Sequence, residues 1–171
     1  MLDALPLPHV LESRIGDATL RRATPEDADA VIALLADDPV SAARGDVASE
    51  EDRPAYVAGL REILADPSND LLVAERDGVI VGTLQLTSIP GMARRGARRL
   101  LVEAVRVRSD LRSSGIGSGI MRWVSDSAAP ALGAAMVQLT SDASRIDAHR
   151  FYEHLGYVGS HKGFKYAVPQ D

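Results

Sequence analysis

The sequence predicts a mixed α/β (α+β) domain built on one central sheet. Three observations carry the prediction. With 171 residues, 46% hydrophobic and 25% charged, the chain has the size and composition of one ordinary globular domain. Stretches with period-two alternation are interleaved with stretches whose apolar residues recur every three or four positions. Asp77-Gly78 stands between two β-rich runs, a hairpin signal that sets two strands side by side and antiparallel. There is no cysteine, which excludes a disulfide framework, a thiolate metal site and a cysteine nucleophile.

The elements follow in order. Residues 1–17 show little periodicity and read as a mobile or loosely docked N-terminal extension, leaving 18–171 as the domain. Ala18–Arg22 is a short strand. Thr24, Pro25, Glu26 and Asp27 make a helix start: a capping hydroxyl, a proline suited to the first turn, and acids at the positive end of the dipole. Ala28, Val31, Ile32, Leu34 and Leu35 continue it as an apolar face. Asp37–Asp52 reads as an acidic loop. Tyr56, Leu60, Ile63 and Leu64 mark a second helix that stops before Pro67. Leu71–Glu75 and Val79–Thr87 are the hairpin strands. Pro90–Arg99 is a loop, and Leu100–Arg108 a strand with Glu103 inside it. A glycine-rich turn leads into a helix carrying Ile116, Ile120, Trp123 and Val124 on one face. Ala135–Thr140 is a strand, Arg145–Leu155 a helix ended by Gly156, and Tyr157–Val158 and Phe164–Val168 two final short strands.

Charge and hydropathy narrow the function classes. Net charge is −5, but residues 1–52 hold twelve acids and four bases, while seven arginines lie between Arg94 and Arg112. An acidic protein with one local arginine cluster suits a discrete anion, a partner or simply water rather than nucleic acid. No apolar run approaches the roughly 20 residues of a membrane helix. Asp3, Pro6 and Pro8 do not suit a signal peptide, so a cytoplasmic location without membrane contact is expected. His149 and Glu153 share a helix face but have no third ligand in sequence, so no metal is expected. Arg94, Arg95, Arg98 and Arg99 fit a solvated or interface loop, or contact with an anion.

The segment Arg112-Ser113-Ser114-Gly115-Ile116-Gly117-Ser118-Gly119 carries the chemistry. A strand enters it and a helix leaves it, so glycines, unpaired helix-start amides and Arg112 together suit a phosphate. No Gly-Lys-Ser/Thr triplet is present, the dinucleotide pattern G-x-G-x-x-G fails at Ile120, and no G-x-S-x-G elbow exists. R-x-x-G-x-G remains, and a plain strand-to-helix turn would fit the same spacing.

Glu103–Met121 (EAVRVRSDLRSSGIGSGIM) resembles the acetyl-CoA pyrophosphate motif of the GNAT superfamily of N-acetyltransferases. His149–Tyr157 (HRFYEHLGY) is similar to that family's closing helix and strand, and Leu20–Leu35 to its usual start. The resemblance spans Ala18 to Tyr166. It implies a mostly antiparallel sheet flanked by about four helices, with a cofactor cleft between splayed strands. It implies that amides around Arg112, Ser113, Ser114, Gly115, Ile116, Gly117 and Ser118 hold the pyrophosphate of coenzyme A. Val105, Arg106 and Val107 would pair with the pantetheine arm. Glu103 would be the general base, and Tyr152 would protonate the departing thiolate. Where the family often has a cofactor-binding asparagine this chain has Arg145, so that contact is not carried over, although an arginine can reach a phosphate.

The expected activity is direct acetyl transfer from acetyl-CoA to a primary amine, on a small molecule or a peptide. Family analogy allows a homodimer. The alternative is a non-catalytic acyl-CoA-binding or regulatory module on the same fold. Glu103 has an ordinary reading too, as a solvent-facing residue or a partner of Arg106 or Arg108. Tyr152 could equally be a packing aromatic, as Phe151 is expected to be.

Overall fold

A computed structural model describes residues 2–43 and 45–169. The chain divides into two compact units, residues 1–139 and 140–171, and each is taken by itself.

The first unit holds a six-stranded sheet in the order β1 (His9–Leu11), β2 (Ala18–Arg22), β3 (Asn69–Arg76), β4 (Val79–Ile89), β5 (Arg98–Val107), β6 (Ala134–Leu139). Every neighbouring pair is antiparallel except β5 and β6, which run parallel. Around the sheet lie α1 (Ala28–Ala36), α2 (Pro39–Ala42), α3 (Arg53–Ala65), the short turn α4 (Ala93–Gly96), α5 (Ile116–Trp123) and α6 (Ala129–Ala131). Between β5 and β6 the chain crosses through α5, as a parallel pair requires.

Local chemistry explains most of these elements. Asp77 and Gly78 take φ values of 51° and 76°, the left-handed pair of a two-residue hairpin turn joining β3 to β4. Pro25–Asp27 forms one tight turn before α1, and the Asp27 carboxylate reaches back to the Thr24 amide at 2.8 Å. Arg21 holds the same carboxylate through two bonds of 2.7 and 2.9 Å, and holds it well below the usual carboxylate range. Cross-strand pairs Leu72↔Leu84 and Leu86↔Val102 line one face of the sheet, fully buried together with Ile116, Ile120, Met121 and Val124. The other face carries Leu71 and Val73, packed with Ala23 and with Ala28, Val31 and Leu60 from α1 and α3. Fully burying each such side chain contributes roughly 1.5–3 kcal/mol.

Three expectations change. Residues 2–17 are not a loose extension. His9–Leu11 pairs with β2, and Leu2, Leu5 and Leu11 are buried. Within the acidic stretch 37–52, Asp38 caps α2 by accepting from the Ser41 amide at 2.9 Å. Arg98 and Arg99 belong to β5 rather than to the preceding loop.

In the second unit, α7 (Ile146–His154) ends at Gly156, whose φ of 86° suits glycine at that position. The Phe151 ring meets Tyr152 edge-on at 5.1 Å, and Tyr152 meets Tyr157 at 5.9 Å. Phe151 is half-buried, short of the core anchor expected of it. The two final strands do not form: no described residue after His154 is in a strand. Val158, Phe164, Tyr166 and Val168 are 68–88% exposed, so their alternation has no apolar surface to pack against.

Candidate active site

The site is built on an irregularity in β5. Thr83 pairs with Arg106 and Gln85 with Glu103, so three steps on β5 oppose two on β4. The extra residue is a bulge, and Ala104 within it has a φ of 50°, a costly conformation for alanine. Beyond the bulge the sheet opens on its other side. Pairing of β5 with β6 ends at Val102↔Leu139, while β5 runs on to Val107.

The open edge offers backbone groups. The Arg108 amide donates to Val81 O on β4 at 3.0 Å. Amides alternate along an extended strand, so the Val107 amide points the other way, to the edge that β6 has left. Val105 shares that direction, and its carbonyl accepts from Arg106 Nη1 at 2.8 Å. Arg106 also donates through Nη2 to Ser41 Oγ. Glu103 sits at the start of the fork, opposite Gln85, and is exposed.

After β5 comes a turn of 3₁₀ helix, Ser109–Leu111, and then the glycine loop. Ser113 and Gly115 have φ values of 64° and 105°, so two left-handed residues fold the chain back sharply. The first bond of α5 runs from the Gly119 amide to Gly115 O at 2.8 Å. The amides of Ile116, Gly117 and Ser118 precede it and have no acceptor within the helix. Ser114 is 7% exposed, and its hydroxyl has no hydrogen-bond partner among the described residues. This donor set fits the pyrophosphate of coenzyme A. Arg112 lies beside it, half exposed, with Nη2 3.9 Å from Asp38 Oδ2.

Two features had no signal in the sequence reading. The N-terminal segment braces the glycine loop. The Arg14 amide donates to Ser114 O at 2.8 Å, its guanidinium to Ser113 O at 3.4 Å, and Ser13 Cα lies 3.7 Å from where a Gly115 Cβ would be. From the other side, Asp37 accepts from the Ser109 amide and hydroxyl at 2.6 and 2.9 Å. The second feature is a cavity of about 430 Å³ between α1, α3 and the sheet, reaching Thr83, Gln85 and Ala104 of the bulge. Its walls include Val31, Ile32, Leu35, Leu60 and Ile63, which by periodicity are indistinguishable from core.

In the second unit, Tyr152 and Arg145 lie on and at the head of α7; the Arg145 amide donates to Asp142 O at 3.0 Å. His149 Nε2 is engaged with Asp142 O at 2.8 Å, and His154 Nδ1 with Arg150 O at 2.6 Å. Among the described residues no cluster of three His, Asp or Glu side chains is placed to hold a metal ion. No helix among them is long and apolar enough to cross a membrane.

Comparison with known proteins agrees with this geometry. Residues 29–157 match the model of the acetyltransferase (GNAT) family. The chain is 33% identical over 149 residues to an aminoalkylphosphonate N-acetyltransferase of Salmonella typhimurium, covering 87% of this chain and 90% of that one. Among solved structures, a transcriptional regulator from Bacillus halodurans superposes with a TM-score of 0.83 at 38% identity, over 88% of this chain and 99% of its own. A provisionally named acetyltransferase from Agrobacterium tumefaciens gives 0.72 at 25% identity, over 87% and 99%. A family model spanning most of the chain, a curated relative above 30% identity and the forked sheet with its phosphate loop lead to one conclusion: the chain belongs to the GNAT family and is an acetyl-CoA-dependent N-acetyltransferase.

Proposed function

We propose that the protein transfers acetyl directly from acetyl-CoA to a primary amine while both are bound. The observation that carries this reading is the fork itself. Bulge, free strand edge and phosphate loop follow one another along Glu103–Ser118, and the cavity opens on the same bulge. The chain has no cysteine, so a cysteinyl acyl-enzyme has no nucleophile. The Salmonella relative is named for an amine acceptor, which supports the acceptor class.

Bound acetyl-CoA supplies an activated thioester carbonyl. Ser113–Ser118 amides and Arg112 hold its phosphates. Val105 and Val107 align the pantetheine arm along the open edge, and the Val107 amide polarises the carbonyl. An ammonium must lose a proton before it can attack. Glu103, exposed at the mouth of the fork, takes that proton through water. The Tyr152 hydroxyl gives one to the departing sulfur. Phenol and thiol have ordinary pKa values near 10 and 8.5, so this donation is slightly uphill but feasible.

Glu103→Gln and Tyr152→Phe test these roles together. Glu103→Gln should lower turnover roughly 10²-fold and remove the acidic limb of the pH–rate profile. Tyr152→Phe should lower turnover less with acyl donors whose leaving group is weakly basic. Coenzyme A affinity should stay within a few-fold in both. Turnover near wild type in either variant would remove that residue from the mechanism. Loss of coenzyme A binding would make it a cofactor or packing residue instead.

A further inference from the structure

The cavity beside the bulge differs in character from the phosphate loop. Ala28, Val31, Ile32, Leu35, Leu60 and Ile63 form its apolar wall, and Asp52 is the only charged residue lining it among the described residues. No described lysine, arginine or histidine lines it. Three arginines on the neighbouring elements are engaged. Arg53 is held by both Asp29 oxygens at 2.7 and 3.1 Å, Arg106 by Ser41 and the Val105 carbonyl, and Arg21 by Asp27 and Glu75. The remaining polar groups are spoken for as well. Tyr56 Oη accepts from the Val47 amide, the Thr83 hydroxyl donates to Leu72 O, and the Gln85 amide donates to Asn69 Oδ1. An anion placed here would lose its water and gain no counter-charge from the described lining, which is costly. An apolar body would lose nothing.

We infer that this cavity is the acceptor site and that it takes a primary amine with an uncharged, largely apolar body, such as an arylalkyl or medium-chain alkyl amine. The inference rests on the acetyltransfer reading and departs from the acceptor in the Salmonella relative's name. The amine nitrogen lies at the Gln85–Ala104 end, where Glu103 stands in register with Gln85, and the body fills the space between α1 and α3. A cavity of this volume falls in the usual range for small-molecule sites.

Gly59 provides the test. It lines the cavity from within α3, and a Cβ built on it meets nothing within 4 Å. Gly59→Leu therefore adds apolar bulk at the cavity wall from a Cβ that meets nothing, and replacing a mid-helix glycine favours folding. Two readouts are needed: release of coenzyme A with 2-phenylethylamine, hexylamine and 2-aminoethylphosphonate, and the thermal shift each amine gives without acetyl-CoA. The expected result is that the two apolar amines raise the melting temperature and the phosphonate does not. The apolar amines should be acetylated at least tenfold more efficiently. Gly59→Leu should abolish their thermal shift and lower their kcat/KM at least tenfold, with coenzyme A affinity unchanged by calorimetry. Thermal shifts with no turnover of any amine would sink the acetyltransfer reading while the cavity's preference stands. Preference for the phosphonate, or a Gly59→Leu enzyme indistinguishable from wild type, would overturn the inference.

Discussion

Gly115→Ala tests the phosphate loop most directly. Gly115 caps α5 with φ 105° and ψ −15°. An L-residue in left-handed conformation costs roughly 1–2 kcal/mol, and 105° lies well beyond the usual left-handed value near 57°, so the upper end applies. The new Cβ would lie 3.7 Å from Ser13 Cα and 3.9 Å from the Arg14 nitrogen, ordinary contact distances. The cost is therefore torsional, not steric. For a chain of this length it should lower the melting temperature by about 4–8 °C. The loop can relieve the strain only by rotating the Ser114–Gly115 region, which swings the amides of Ile116 to Ser118 out of convergence. Coenzyme A affinity should then fall about tenfold, equivalent to about 1.4 kcal/mol. Gly133→Ala is the control: φ is 61°, nothing lies within 4 Å, and it stands on the α6–β6 turn. It should lose stability of the same order with no loss of affinity. Calorimetry with coenzyme A and thermal unfolding measure both quantities. Undiminished affinity in a destabilised Gly115→Ala, or an equal affinity loss in Gly133→Ala, would refute the assignment of this loop to the pyrophosphate.

Two further outcomes are expected. Arg14→Ala should weaken coenzyme A binding by about threefold at low salt and less at high salt, with little change in melting temperature, because the side chain is exposed and its bond to Ser113 O is long; titrations at two salt concentrations check it. Asp27→Asn should cost about 2–3 kcal/mol at neutral pH, because it removes the charge and one of the two oxygens that accept from Arg21 and the Thr24 amide and turns an NH2 group toward those donors. Arg21 depresses the Asp27 carboxyl in the folded state, so its stabilisation is present above the ordinary carboxylate value and lost as pH falls through the lowered one. Chemical denaturation should thus show the gap between wild type and variant closing below about pH 4.

The parts of the molecule that were readable from sequence are those fixed by local chemistry. Asp77-Gly78 dictates its turn, Thr24 to Asp27 its helix start, and Arg112 to Gly117 its loop, because each needs particular residue types at adjacent positions. The bulge carries no such mark: Ala104 takes a positive φ with no glycine to announce it. The cavity was hidden for another reason. Val31, Leu35, Leu60 and Ile63 satisfy the same periodicity whether they meet a neighbour or a space. β1 has only three residues and follows Pro6 and Pro8, so alternation had no length in which to register. Phe164–Val168 erred in the opposite direction, since alternation favours a strand only where a partner edge exists.

The contact between Arg14 and the glycine loop couples the docking of β1 to the shape of that loop. β1 is a three-residue strand lying over the flank of β2, and a short edge strand is one way a sheet avoids pairing with another molecule. The backbone just beyond β1 is held by one carbonyl of the loop, Ser114 O. On the proposed assignment of that loop to the phosphates, a ligand that fixes this carbonyl favours the docked strand by mass action. The expected consequence is colloidal: a preparation starved of acetyl-CoA should aggregate more readily than a replete one.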